Sequence, residues 1–192
     1  MTDLITIDKY KEIEGISSTK EDVKLEIFIP SVSQLVKTYC GNSILDYFTV
    51  NKVEDFSLTW DSTFLQLTES PVNTIVEIQE RRRPTENYSI LDSNEYYLDT
   101  KTDSVIRIPT KYQYWPQGPG SVLVTYSAGY AATPADLLLA VADLVTYYLK
   151  DEHKQRQTLQ GASIENARSG GNANNPAFPD HIKRVLDLYK NF

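Results

Sequence analysis

The chain has 192 residues, 41% of them hydrophobic, which is enough for one domain with a core or one domain plus an appendage. Its 26 acidic and 19 basic side chains leave a net charge of −7, which argues against DNA binding through a general basic face and leaves open passage of DNA through an enclosed channel. The single cysteine, Cys40, excludes an intrachain disulfide and argues against a cysteine-built zinc site, and no apolar run approaches the ~20 residues of a membrane span.

The N-terminal stretch MTDLITIDKYKEIEG carries charges every few residues and no apolar core, so no signal peptide is expected. A first helix is predicted from Thr6, a good N-cap, to Gly15, a good C-terminal stop. A second opens at Ser18 and Glu21, which stand in capping-box spacing, and runs to Gly41. Val23, Ile27, Val32, Leu35, Val36 and Tyr39 follow approximate helical spacing across it. Pro30 falls inside, and the pattern resumes beyond it, so one bent helix is expected.

From 47 to 127 the chain changes texture to β-branched and aromatic residues cut by turn signals. TFLQL, NTIVEIQE, NEYYLDT, SVIRIP and SVLVTYS are the strand candidates, with 100–103 as a hairpin turn and YWPQGPGS as a loop feeding the last strand. Strands that follow one another without helices point to an antiparallel sheet or small barrel. Thr133 and Pro134 then read as N-cap and first position of a helix whose stripe is Leu137, Val141, Leu144, Val145, Tyr148 and Leu149. Leu138, Ala140 and Ala142 widen that stripe until the helix needs burial on most sides, part of it against another copy of the chain. Residues 157–178 are polar and rich in Gly, Asn and Ser, hence a linker. The ending FPDHIKRVLDLYKNF places Ile182, Val185, Leu186 and Tyr189 on one helical face. Such a short helix is marginal alone in water and requires a partner surface.

Candidate chemistry is sparse. Metalloprotease, redox, nucleophile-elbow and P-loop motifs are all missing, so no catalytic residue, cofactor or metal ligand is predicted. Carboxylates are plentiful, but no pair can be assigned from spacing. The run Arg81, Arg82, Arg83 is the sharpest charge feature, readable as a nucleic-acid or partner contact, or more plainly as a solvated strand end or a source of interprotomer ion pairs. Thirteen tyrosines add weak support for assembly surfaces.

The order of parts resembles the head–tail connector (adaptor) proteins of tailed bacteriophages. The resemblance is carried by EDVKLEIFIPSVSQLVKTYCG with its internal IPSVS, by WPQGPGSVLVTYSAGYAATPADLLLAVADLVTYYLKDE, and by the ending GASIENARSGG…FPDHIKRVLDLY. These cover about 17–41 and 115–192; the interior 47–114 matches only in β character and is longer than in compact members. The resemblance implies an α+β fold: a small helical bundle (1–46 and 128–156), an inserted antiparallel β region (47–127), and a C-terminal tail (157–192) ending in a short helix. It further implies a structural virion protein of the neck, made in the host cytoplasm, without enzymatic turnover. The expected partners are the portal, a downstream neck or tail protein, DNA passing through the lumen without sequence recognition, and other copies in a ring of about twelve; no membrane is expected. The portal contact falls on Phe178, Ile182, Val185, Leu186 and Tyr189, with Arg81, Arg82 and Arg83 as a candidate interprotomer or capsid contact. A stopper or tail-completion protein, a non-viral β-rich binding module and an enzyme built on a carboxylate pair are the alternative readings.

Overall fold

The computed structural model describes residues 2–109, 112–150, 156–159, 162–165 and 178–190. Two compact units are present: a helical unit of Met1–Gly41 and Thr133–Lys190, and a β unit of Asn42–Ala132. The sequence placed the boundaries at 46/47 and 127/128. The flanking residues go with the β unit because they bond to each other: Tyr130 N–H donates to Ile44 O, and Ala128 N–H to Tyr47 O.

In the helical unit, α1 (Ile7–Glu14) is capped by the Thr6 hydroxyl accepting from Lys9 N–H, as expected, and α2 (Asp22–Cys40) runs unbroken past Pro30. Gly15 and Gly41 close the two helices in the left-handed conformation. The start of α2 departs from the sequence reading, since Glu21 occupies the cap position with no side-chain bond and the Ser18 hydroxyl instead accepts from Lys20 N–H. The buried face departs as well. Leu25, Ile29, Val32, Val36 and Cys40 are interior, while Val23 and Ile27 face solvent. α3 (Ala135–Leu149) begins one residue later than expected, with Pro134 at the cap. The Thr133 hydroxyl donates to Leu4 O at 2.6 Å, pinning the N-terminal segment. Leu137, Ala140, Val141, Ala142, Leu144 and Val145 are buried, so α3 supplies the centre of this core. Tyr10 on α1 meets Thr146 on α3 at 2.9 Å between hydroxyl oxygens.

The β unit holds two antiparallel sheets. One has the order β1 (Lys52–Leu58), β7 (Gly118–Ala128), β3 (Val72–Glu80), β4 (Ser89–Ile90); the other is β2 (Phe64–Gln66), β6 (Ser104–Arg107), β5 (Tyr96–Asp99). β5 and β6 form the expected hairpin, pairing from Tyr96↔Arg107 to Asp99↔Ser104. β1 was not anticipated because three of the seven residues of KVEDFSL are charged, with Glu54 and Asp55 adjacent, which breaks the alternation of a strand, yet it pairs along β7 from Lys52↔Tyr126 to Leu58↔Gly118. The GPGS segment, expected as loop, already belongs to β7. Inward side chains of both sheets fill one core, with Leu65, Ile78, Val105, Trp115, Val122, Val124 and Tyr126 at its centre. Gly129 has φ 94° where β7 ends, and a Cβ there would collide with the Ile44 carbonyl. Only glycine fits that close approach of two strands of chain.

The predicted linker 157–178 lies largely outside the described residues. Its described pieces, with Arg156, form an unanticipated hairpin of β8 (Arg156–Leu159) and β9 (Ala162–Glu165).

Candidate assembly surfaces

The C-terminal element is built by a proline and an apolar stripe. Pro179 sits at the cap of α4 (Asp180–Leu186) with φ −58° and ψ 146°, extended backbone that proline favours, and a 3₁₀ turn (Asp187–Tyr189) follows. A helix of seven residues does not hold itself together, so its stability comes from what it covers. Phe178, Ile182 and Leu186 are fully buried, and Val185 and Tyr189 half-buried, within the chain's own helical unit. The Phe178 ring lies 4.8 Å from that of Tyr39 on α2. Polar bonds surround the apolar contact. The Tyr39 hydroxyl donates to Asp187 Oδ1 at 2.5 Å, Tyr189 to Asp136 Oδ1 on α3 at 2.6 Å, and Cys40 Sγ to Leu186 O at 3.6 Å.

These contacts set the local titration. Burial, and then the neighbouring Asp187 carboxylate, push the Tyr39 phenol up to about 12. Burial likewise raises the Cys40 thiol to about 11, aided by Asp187 and partly offset by Lys190. Both groups are therefore neutral donors at physiological pH. The Tyr189 hydroxyl holds the Asp136 carboxyl below its ordinary value. The five residues expected to contact the portal are thus brought together on one surface, and in this structure that surface rests on α2 and α3.

The arginine run divides into three different environments. Arg81 is structural: its guanidinium donates from Nε to Gly120 O (2.8 Å), from Nη1 to Pro84 O (3.2 Å) and from Nη2 to Pro119 O (3.3 Å). It also lies over the Tyr88 ring, 4.5 Å from the centroid. It ties the loop after β3 to the start of β7. Arg82 lies 3.5 Å over the Tyr112 ring and is exposed; Arg83 is exposed and reaches Glu86 at 3.9 Å. Arg82 borders an open cleft of about 400 Å³ shared with Asp61, Tyr114, Trp115 and Gln117. The cleft's carboxylate accepts from Gln117 Nε2 at 2.7 Å, an arrangement with no acid–base pair.

A buried ionic centre escaped the sequence reading. Arg107 at the end of β6 has a fully buried side chain, donating from Nη1 to Glu80 (2.6 Å) and from Nη2 to Glu95 (3.0 Å), with Trp115 beside it. A signal existed. Alternation puts Val105 and Arg107 on one face of β6, and Ile78 and Glu80 on one face of β3, so opposite charges point inward at two strand ends. Among the described residues, no group of three or more His, Cys, Asp or Glu side chains is placed to hold a metal ion, and no helix is long and apolar enough to cross a membrane.

The architecture has known counterparts. The chain matches the head completion protein family over residues 3–192. It is 26% identical over 189 residues to the head completion protein of Escherichia phage T5, covering 97% of this chain and 98% of that protein. Its fold is similar to a chain in the neck of an empty gene transfer agent particle computed with C6 symmetry: TM-score 0.62, 14% identity, 98% of this chain and 90% of that one. It is similar also to a chain in the neck of the native particle computed with C12 symmetry: TM-score 0.60, 13% identity, 100% and 94% covered. With the α+β architecture and a match running from the first turn to the last, this chain belongs to the head completion protein family, the structural proteins of the phage head–tail connection.

Proposed function

We propose that the protein assembles as a ring beneath the portal, extends the DNA channel and joins head to tail, without catalytic turnover. The observation that carries this reading is the full-length family match, supported by a fold similar to that of a chain in the neck of a gene transfer agent particle computed with C12 symmetry. A closed ring needs a head-to-tail contact between copies, and an acidic chain (net charge −7) suits a lumen through which DNA slides without being held.

The tail, residues 157–192, is the proposed portal clamp, with Phe178, Ile182, Val185, Leu186 and Tyr189 as its contact face. Because that face lies on α2 and α3 in the single chain, docking requires an exchange of one apolar surface for another. Exchange is easiest for a two-turn helix with few residues to unfold. A groove on the partner would take α4 as an amphipathic helix, weakly for one copy and firmly for many on a ring. The test removes residues 157–192 and measures co-sedimentation with portal rings, with circular dichroism to verify that the truncated chain is folded. Loss of portal binding by the folded truncation is expected. Binding equal to that of the full chain would show that the tail is not the clamp. A hydrolase or nuclease activity abolished by one carboxylate substitution would overturn the non-catalytic assignment.

A further inference from the structure

Among the described residues, α2 and α3 each keep a face uncovered, and the two faces differ in charge. On α2, a turn of roughly 3.6 residues places Val23, Ile27 and Gln34 on the side opposite the buried line Leu25, Ile29, Val32 and Val36. Val23 is 71% and Ile27 64% exposed, large values for aliphatic side chains spaced one turn apart. The end of α1 is tied to the start of α2 by Lys11 and Asp22 at 2.5 Å. Lys24 flanks this strip on one side and the exposed Glu26 on the other. The bond of Lys24 to Glu21 is a surface i,i+3 pair with both side chains largely exposed, easily given up for another partner.

On α3 the uncovered line is Asp136, Leu139, Asp143, on the far side from Leu137, Val141 and Leu144. Leu139 is 54% exposed and stands between two carboxylates. Asp143 has no hydrogen-bond or ion-pair partner among the described residues, whereas Asp136 already accepts from Tyr189.

An apolar strip with a lysine on one edge and a glutamate on the other, and a leucine flanked by aspartates on the neighbouring helix, form a non-identical pair whose charges match where Lys24 faces an aspartate. Because α2 and α3 pack on each other through their buried faces, the two uncovered faces point away from one another. That is the arrangement a head-to-tail contact requires, with each copy offering one face to each side. We infer that the ring closes by docking the Val23–Lys24–Ile27 face of α2 on the Leu139–Asp143 face of α3 of a second copy of this chain. The inference rests on the ring reading above and adds the surfaces that make it. Apolar contact supplies the holding energy, and the Lys24–Asp143 pairing selects the register and excludes like-on-like association.

Mass photometry of the full chain and of Lys24→Asp, Asp143→Lys and the double variant tests it, at one low and one high salt concentration. Both positions are exposed, so the variants keep the fold, which circular dichroism verifies. Each single reversal is expected to raise the concentration needed for rings by about tenfold or more, and the double reversal to restore it. An equimolar mixture of the two single variants should also form rings, since every contact in an alternating ring is then of opposite charge. Ile27→Ser should weaken assembly without changing its salt dependence. If wild-type rings form and the single reversals leave them intact, or the double fails to recover them, the face assignment is wrong and the ring reading survives. If the wild-type chain forms no ring at any concentration, alone or with portal, the ring reading fails and the inference with it.

Discussion

Arg107 shows how much one side chain can decide in the β unit. Its charge is removed from water and balanced by Glu80 and Glu95, while its Nε has no partner among the described residues. Desolvating such a group is costly, so the cluster is a device for alignment more than a source of net stability. It binds the end of β6 to the end of β3 and to the turn before β5, three places the two sheets must bring into register. Arg107→Ala leaves Glu80 buried without its counter-charge and is expected to cost about 3–5 kcal/mol. Replacing Arg107 and Glu80 together by Met and Leu should cost far less, because the two most buried charges leave the core at once and the more exposed Glu95 can turn to water. Urea titration followed by tryptophan fluorescence measures both, and equal losses in the two variants would contradict the account.

At the scale of elements, α3 is the one whose sequence pattern and burial agree most closely. Its apolar residues are so dense that most registers of the helix bury the same set, and Leu137, Val141, Leu144 and Val145 are all interior. Leu144→Ala opens a cavity at a fully buried site and should destabilise the helical unit by about 2–5 kcal/mol in a denaturant titration; a loss below about 1 kcal/mol would contradict that burial. α2 behaves differently. Two apolar lines run along it, one through Val23 and Ile27 and one through Leu25 and Ile29, and spacing alone does not say which faces inward. The choice is made by what covers the helix: α3 on one side, and α4 through Tyr39, Phe178 and Leu186. The capping box failed for a related reason. A Ser and a Glu at the right spacing are permissive, and the chain entering α2 adopts a turn in which Ser18 bonds to Lys20 instead.

At the scale of the whole molecule, charge is sorted by role. Arg81 is committed to backbone carbonyls, while Arg82 and Arg83 remain exposed beside it. Arg82→Ala with Arg83→Ala should therefore leave the unfolding free energy within about 0.5 kcal/mol of wild type, as surface changes do, and Arg81→Ala should lower it by about 1–3 kcal/mol. If the exposed pair contributes to a contact with other copies or with the capsid, the double variant also loses the salt dependence of that contact. Unchanged assembly at both high and low salt would remove Arg82 and Arg83 from that role. The same three arginines were indistinguishable as a run, because the loop that separates their surroundings comes from pairing β3 with β7.

The sequence by itself determined the class of the fold, the strand-rich middle between helices, the stops at Gly15 and Gly41, the hairpin of β5 and β6, and the family. The stops, the strand texture and the hairpin rest on local chemistry: glycine's access to left-handed backbone, turn residues at short range, and apolar spacing within one element; the fold class and the family came from the resemblance in motifs and order of parts. Tertiary structure alone decided which line of α2 is core, what covers α4, and that Arg107 meets Glu80. Those outcomes depend on surfaces brought together from positions far apart in the chain. Position 40 meets 186 across one core, and 107 meets 80 across another. Local propensity does not fix such pairs, because each is a contact between elements that does not exist until the packing of apolar surfaces brings those elements together.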